Sequence, residues 1–105
     1  MNSNLNKKEI ELLCNAILEI KTMEECKNFL EDLCSIQEIN SMAQRILVAK
    51  MLKGKNVYTT IAKETGASTA TISRVSKCLN YGANGYALIL DRLAAHEKSI
   101  GTLDN

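Results

Sequence analysis

The sequence predicts an all-α fold of about six helices, and three observations carry that expectation. Apolar residues recur at i, i+3, i+4 and i+7 through successive stretches; β-branched residues never alternate with polar ones over a strand's length; and capping signals stand where one periodic stretch gives way to the next. The chain has no proline and only 5 glycines to interrupt a helix. With 105 residues, 46% hydrophobic and 24% charged, it reads as one globular domain spanning residues 1–105. A chain of this length buries only about 60–70% of its unfolded surface by itself, so a partner chain would help it.

The first helix is expected over about Lys7–Lys21, where Ile10, Leu13, Cys14, Ile17 and Leu18 form one stripe opposite Lys8, Glu11, Asn15 and Glu19. Thr22 and Glu25 announce the second by the capping-box spacing, and Cys26, Phe29, Leu30 and Leu33 are its stripe. Ser35 and Glu38 repeat the device for a third helix that continues to about Lys53, with Gly54 as its stop. In this third helix Ile46, Leu47, Val48, Ala49, Met51 and Leu52 surround the axis. A helix that is apolar all round needs cover on more than one face, either from the first two helices or from a second copy of the chain.

The stretch Tyr58–Leu79, YTTIAKETGASTATISRVSKCL, has the spacings of a helix-turn-helix. Two short helices that cross steeply need a small residue in the first, and Ala62 fits. Gly66 supplies a left-handed turn residue that ends the first helix. Ile61 and the series Ile72, Val75 and Leu79 face inward. Val57 and Tyr58 are poor caps for the first helix, whereas Ser68 is a good one for the second. Outward on the second helix are Thr69, Ala70, Ser73, Arg74 and Lys77, a small, polar and cationic face suited to the major groove. After Leu79 the run NYGANG is turn chemistry, and a last helix is expected over about Gly85–Glu97 with Tyr86, Leu90, Leu93 and Ala94 inward. Ser99–Asn105 reads as a loose tail.

The run GASTATISR at Gly66–Arg74, preceded at a matching distance by Ala43, Gln44 and Arg45, resembles the Trp repressor superfamily and within it the YerC/YecD-type members. The resemblance covers roughly Cys26 to Leu93. It implies a Trp repressor-like, interlocked homodimer whose dimerisation part is residues 7–53 and 85–97, with the helix-turn-helix at 58–79. It also implies sequence-specific binding of double-stranded DNA, and a transcription regulator that acts as a repressor. Thr59, Thr60, Lys63 and Ser68 would then contact phosphates and sugars, and Thr69, Ala70 and Ser73 the base edges. Arg74 and Lys77 would be the cationic contributors, although Lys63 and Lys77 also fit a plain solvated helix face.

In the tryptophan-responsive members of the superfamily, arginines matching Arg45 and Arg74 flank an effector pocket. Here Val75 stands where those members have a glycine that leaves room for the indole ring, and Cys78 stands where a hydroxyl would meet the ligand's amino group. A branched side chain in the ring slot opposes tryptophan as a corepressor. No cofactor is expected, the identity of any small-molecule effector stays open, and Arg45 fits an ion pair as well as it fits a ligand.

Net charge is only +1, but it is unevenly placed. Residues 1–40 carry four lysines against eight acids, residues 41–81 seven basic residues against Glu64 alone, and residues 82–105 two basic residues against three acids. The positive segment is the one that holds the helix-turn-helix, as phosphate contact requires. The N-terminus lacks the apolar run of a signal peptide, and the longest apolar runs, Ile46–Ala49 and Ala87–Leu90, are far too short for a membrane span. A cytoplasmic protein is expected, with Cys14, Cys26, Cys34 and Cys78 as buried, reduced thiols rather than disulfides or metal ligands. Enzymatic activity is not expected: His96 is the only histidine, and no nucleophile or metal cage has motif support. The competing reading is a protein-interaction module that uses the helical fold without specific DNA binding.

Overall fold

The computed structural model describes residues 6–104, with side chains from 6 to 98. Those residues form six helices: α1 Lys7–Leu18, α2 Met23–Leu33, α3 Ile36–Lys53, α4 Tyr58–Thr65, α5 Thr69–Tyr81 and α6 Gly85–Asp104. No strand occurs among them, and none of the helices is long and apolar enough to cross a membrane. Contacts divide the chain into two compact units, one ending at Ile39 and one beginning at Asn40.

In the first unit, local capping chemistry fixes the helix boundaries. The Asn6 side chain accepts from the Glu9 N–H at 3.2 Å and starts α1. Thr22 Oγ1 accepts from the Glu25 N–H at 3.1 Å, and the Glu25 carboxylate reaches back to the Lys21 N–H at 3.0 Å. That return bond lands one residue before the cap, which holds Lys21 outside any helix. α1 therefore ends at Leu18, three residues short of the expected Lys21. At α3 the box is reciprocal: Glu38 Oε1 accepts from the Ser35 N–H at 2.8 Å, and Ser35 Oγ accepts from the Glu38 N–H at 3.1 Å. Neither α1 nor α2 contains a buried residue. Leu13 and Ile17 of the α1 stripe are exposed, and Leu18 is 79% exposed. The thiols expected to be buried are not: Cys14 shares the exposed stripe, Cys26 and Cys34 are half-buried, and Cys78 is exposed on α5.

In the second unit α3, α4, α5 and α6 share one core, made of Val48, Ala49, Ile61, Ala67, Ile72, Val75 and Leu90. Met51, Leu52, Ala62, Leu79 and Tyr86 pack against it half-buried. Each fully buried aliphatic side chain contributes on the order of 1.5–3 kcal/mol. α3 buries Val48 and Ala49 but leaves Ile46 and Leu47 42% and 45% exposed. Its all-round apolar surface is thus covered on one side and open on the other.

In this unit three further ends differ from expectation. α3 ends in a Schellman motif whose left-handed residue is Lys55 (φ 66°), not Gly54, with the Asn56 N–H bonded to the Met51 carbonyl and the Lys55 N–H to that of Leu52. α5 runs two residues past Leu79 to Tyr81 and stops at Gly82, where a Cβ would strike the Cys78 carbonyl. α6 continues past Glu97 to Asp104, so the expected loose tail is helical in its backbone as far as that residue; Asn105 lies outside the described residues. Of the expected inner stripe of α6, Leu90 is buried and Tyr86 half-buried. Leu93 and Ala94 instead line an open groove with Ile46, bordered by the Lys50–Glu97 and Lys53–Asp91 ion pairs.

Candidate nucleic-acid interface

The site is an elbow and the helix it presents. α4 follows Val57, which gives it no side-chain cap, as the sequence predicts, and is closed by Gly66, whose φ of 73° and ψ of 4° place it in the left-handed region. Nothing lies within 4 Å of where a Cβ would be, so the glycine is there for its backbone angle rather than for space. The Gly66 N–H donates to the Ala62 carbonyl at 2.9 Å. Two residues later Ser68 caps α5: its Oγ accepts from the Thr71 N–H at 3.1 Å and lies 3.0 Å from Thr71 Oγ1.

Between those residues Ala67 is buried, and on α5 Ile72 and Val75 are buried. The inward anchors fix which residues face out. Ser68, Thr69, Ala70, Ser73, Arg74 and Lys77 are exposed, as are Thr59 and Lys63 of α4; Thr60 alone of the expected contact residues is half-buried. Neither the Lys50–Glu97 nor the Lys53–Asp91 ion pair involves Lys63, Arg74 or Lys77. The face therefore combines short hydroxyl and methyl groups near the N-terminal end of α5 with cations that have no acidic partner among the described residues. Such a surface can approach a polyanion closely.

The four residues expected around an effector differ in their exposure. Val75 is 1% exposed and belongs to the core. Arg45 is half-buried, and Arg74 is exposed. Cys78 is exposed and borders an open apolar cleft of about 370 Å³ with Ile46, Tyr86, Ile89 and Leu90. Neither arginine nor Val75 lines that cleft.

One contributor to this geometry escaped the sequence reading. Gln44 Nε2 on α3 donates to the Thr65 carbonyl at 3.1 Å, and the Thr65 hydroxyl donates to the Ile61 carbonyl at 2.7 Å while accepting from the Ala67 N–H at 3.1 Å. The available signal was a lone amide ahead of the apolar run Ile46–Ala49, but its partner is 21 positions away and no spacing rule links them.

The sequence profile of the family described as "Trp repressor protein" matches residues 8–94. The uncharacterized protein YerC of Bacillus subtilis (strain 168) is 55% identical over 93 residues, which cover 89% of each chain. A crystal structure of a TrpR like protein from Eubacterium eligens ATCC 27750 superposes with a TM-score of 0.84 at 49% identity, covering 89% of this chain and 96% of that one. A candidate Trp repressor from Staphylococcus aureus superposes with a TM-score of 0.80 at 48% identity, covering 83% of this chain and 87% of that one. A profile match across most of the chain, together with solved structures that share its helical arrangement, leads to one conclusion: the chain belongs to the Trp repressor family.

Proposed function

We propose that the protein is a homodimeric, sequence-specific DNA-binding regulator of transcription, acting as a repressor, that reads the major groove with α5. The observation that carries this reading is the exposed face of Thr69, Ala70, Ser73 and Arg74, held outward by Gly66 and by the buried Ile72 and Val75. Thr69, Ala70 and Ser73 meet base edges, where a methyl group can touch thymine and a hydroxyl can donate or accept. Thr59, Thr60, Lys63, Ser68 and Lys77 hold the backbone. Side chains this short demand close approach, so water bridges and DNA shape contribute to specificity.

A second copy of the chain completes the molecule. The open side of α3 at Ile46 and Leu47, with the exposed stripe of α1, supports an interface in which copies cover each other's apolar faces. Two α5 helices then enter successive major grooves about 34 Å apart on a near-palindromic site.

No corepressor is required. Val75 already occupies the core beneath α5, which supports a reading helix that stands permanently in its binding pose. The test is DNA selection from a random pool by purified protein, without and with added metabolites. Enrichment of a near-palindromic site without any addition supports the proposal, and enrichment only with a metabolite removes its unliganded part.

The exposed apolar faces also favour a second reading, in which the chain is a protein-interaction module. An apolar protein interface is insensitive to salt, whereas a phosphate-neutralising one weakens steeply as salt rises, and that separates the two.

A further inference from the structure

We propose that Gln44 is a positioning residue for the reading helix: from α3 it latches the C-terminal end of α4 and thereby sets where the start of α5 stands. The functional consequence rests on the DNA-binding reading, whereas the latch rests on geometry within the second unit. The Thr65 carbonyl is one of the acceptors left without a helical partner at the end of α4, and Gln44 Nε2 satisfies it at 3.1 Å in half-buried surroundings. The hydroxyl of the same threonine joins the Ile61 carbonyl behind it to the Ala67 N–H ahead of it. Thr65 thus ties three things together: the last turn of α4, the Gly66 elbow and, through Gln44, the body of α3.

The arrangement matters because α4 has little else directional to hold it. Its first turn has no side-chain cap, and its remaining anchors, Ile61 and Ala62, are apolar contacts that tolerate sliding. Among the described residues Gln44 supplies the one side-chain hydrogen bond between α3 and α4. Ser68, Thr69 and Ala70 follow Thr65 within five positions, so a tilt at the end of α4 is passed directly to the start of α5. Short reading side chains leave no slack to absorb that tilt. Without the amide, the Thr65 carbonyl stays half-buried with no donor, and the elbow shifts towards water.

The test uses the full chain with Gln44→Met, which keeps the length and removes the donor, and Gln44→Lys, which restores a donor on a flexible stem. Two readouts are taken: amide hydrogen exchange in the free protein, and affinity for a duplex selected by the wild-type chain from a random pool against a scrambled duplex. In Gln44→Met the Ala67 and Thr71 amides should exchange about tenfold faster, and affinity for the selected duplex should fall about tenfold, the loss that one broken hydrogen bond corresponds to. Affinity for the scrambled duplex should be unchanged, and Gln44→Lys should recover most of both effects. Unchanged exchange in Gln44→Met overturns the latch whether or not the protein binds DNA. Faster exchange with selected-duplex affinity within about twofold, well below that expected loss, overturns the positioning role. An equal loss on both duplexes with a lowered unfolding temperature assigns Gln44 to stability alone and overturns it too. A wild-type chain that selects no duplex removes the DNA-binding reading and the positioning role with it, while exchange still decides the latch.

Discussion

Gly66 is the residue on which the geometry turns. Its left-handed backbone, with empty space where a side chain would go, means that Gly66→Ala should cost about 1–2 kcal/mol through conformation alone, measured by urea unfolding. Gly66→Asn, which tolerates that region better, should cost less. On the exposed face the expected effects are on binding rather than folding. Ser73→Ala and Arg74→Ala should each weaken specific binding by about 1–3 kcal/mol while leaving the unfolding midpoint unchanged. If neither alters affinity in a titration, α5 is not the reading element. Val75 is buried in the core beneath α5, and Val75→Ala should destabilise by a few kcal/mol as a cavity forms.

At the scale of the helices, starts were legible and ends were less so. Ser35 with Glu38, Thr22 and Ser68 all act at the positions where their spacing places them, because a cap is a bond between neighbours three residues apart. Ends depend on where the chain must go next. α1 stops early because Glu25 holds Lys21 for the next cap, and Lys55 rather than Gly54 takes the left-handed angle after α3. The outward face of α5 was readable from periodicity, since Ile72 and Val75 fix its rotation. Gln44 was not, because its partner is distant in sequence.

Two predictions belong to the helices. Ser68→Ala should cost about 1 kcal/mol and fray the start of α5. The Ser35 backbone N–H, and after it the Ser35 hydroxyl, hold the Glu38 carboxyl below its usual 4.5. A lowered folded value means that its contribution is present above about pH 4.5 and is lost as pH falls through the folded value. The difference in unfolding temperature between wild type and Glu38→Gln should therefore shrink on acidification below that range, which a pH series of thermal melts would show.

For the whole molecule, the division into two units and the uncovered apolar stripes belong together. Neither α1 nor α2 buries a residue, and α3 is open on one side; the proposed second copy would cover these surfaces. The sequence pointed to this through the all-round apolar character of α3, but no single-chain pattern could say which faces stay open. The unfolding temperature should rise with protein concentration, as it does when association stabilises the fold. Ile17→Glu should lower the mass measured by sedimentation towards that of one chain and weaken DNA binding with it. An unchanged mass would place the interface elsewhere.

Engagement of duplex DNA by α5 without a ligand is the property on which the proposed regulator rests. The direct measurement is fluorescence anisotropy of purified protein on its selected duplex, across a salt series and with no metabolite present. With Lys63, Arg74 and Lys77 engaged from two copies, the slope of log affinity against log salt should be about −5, and Arg74→Ala should flatten it. No binding without a metabolite, or binding indifferent to salt, would contradict it.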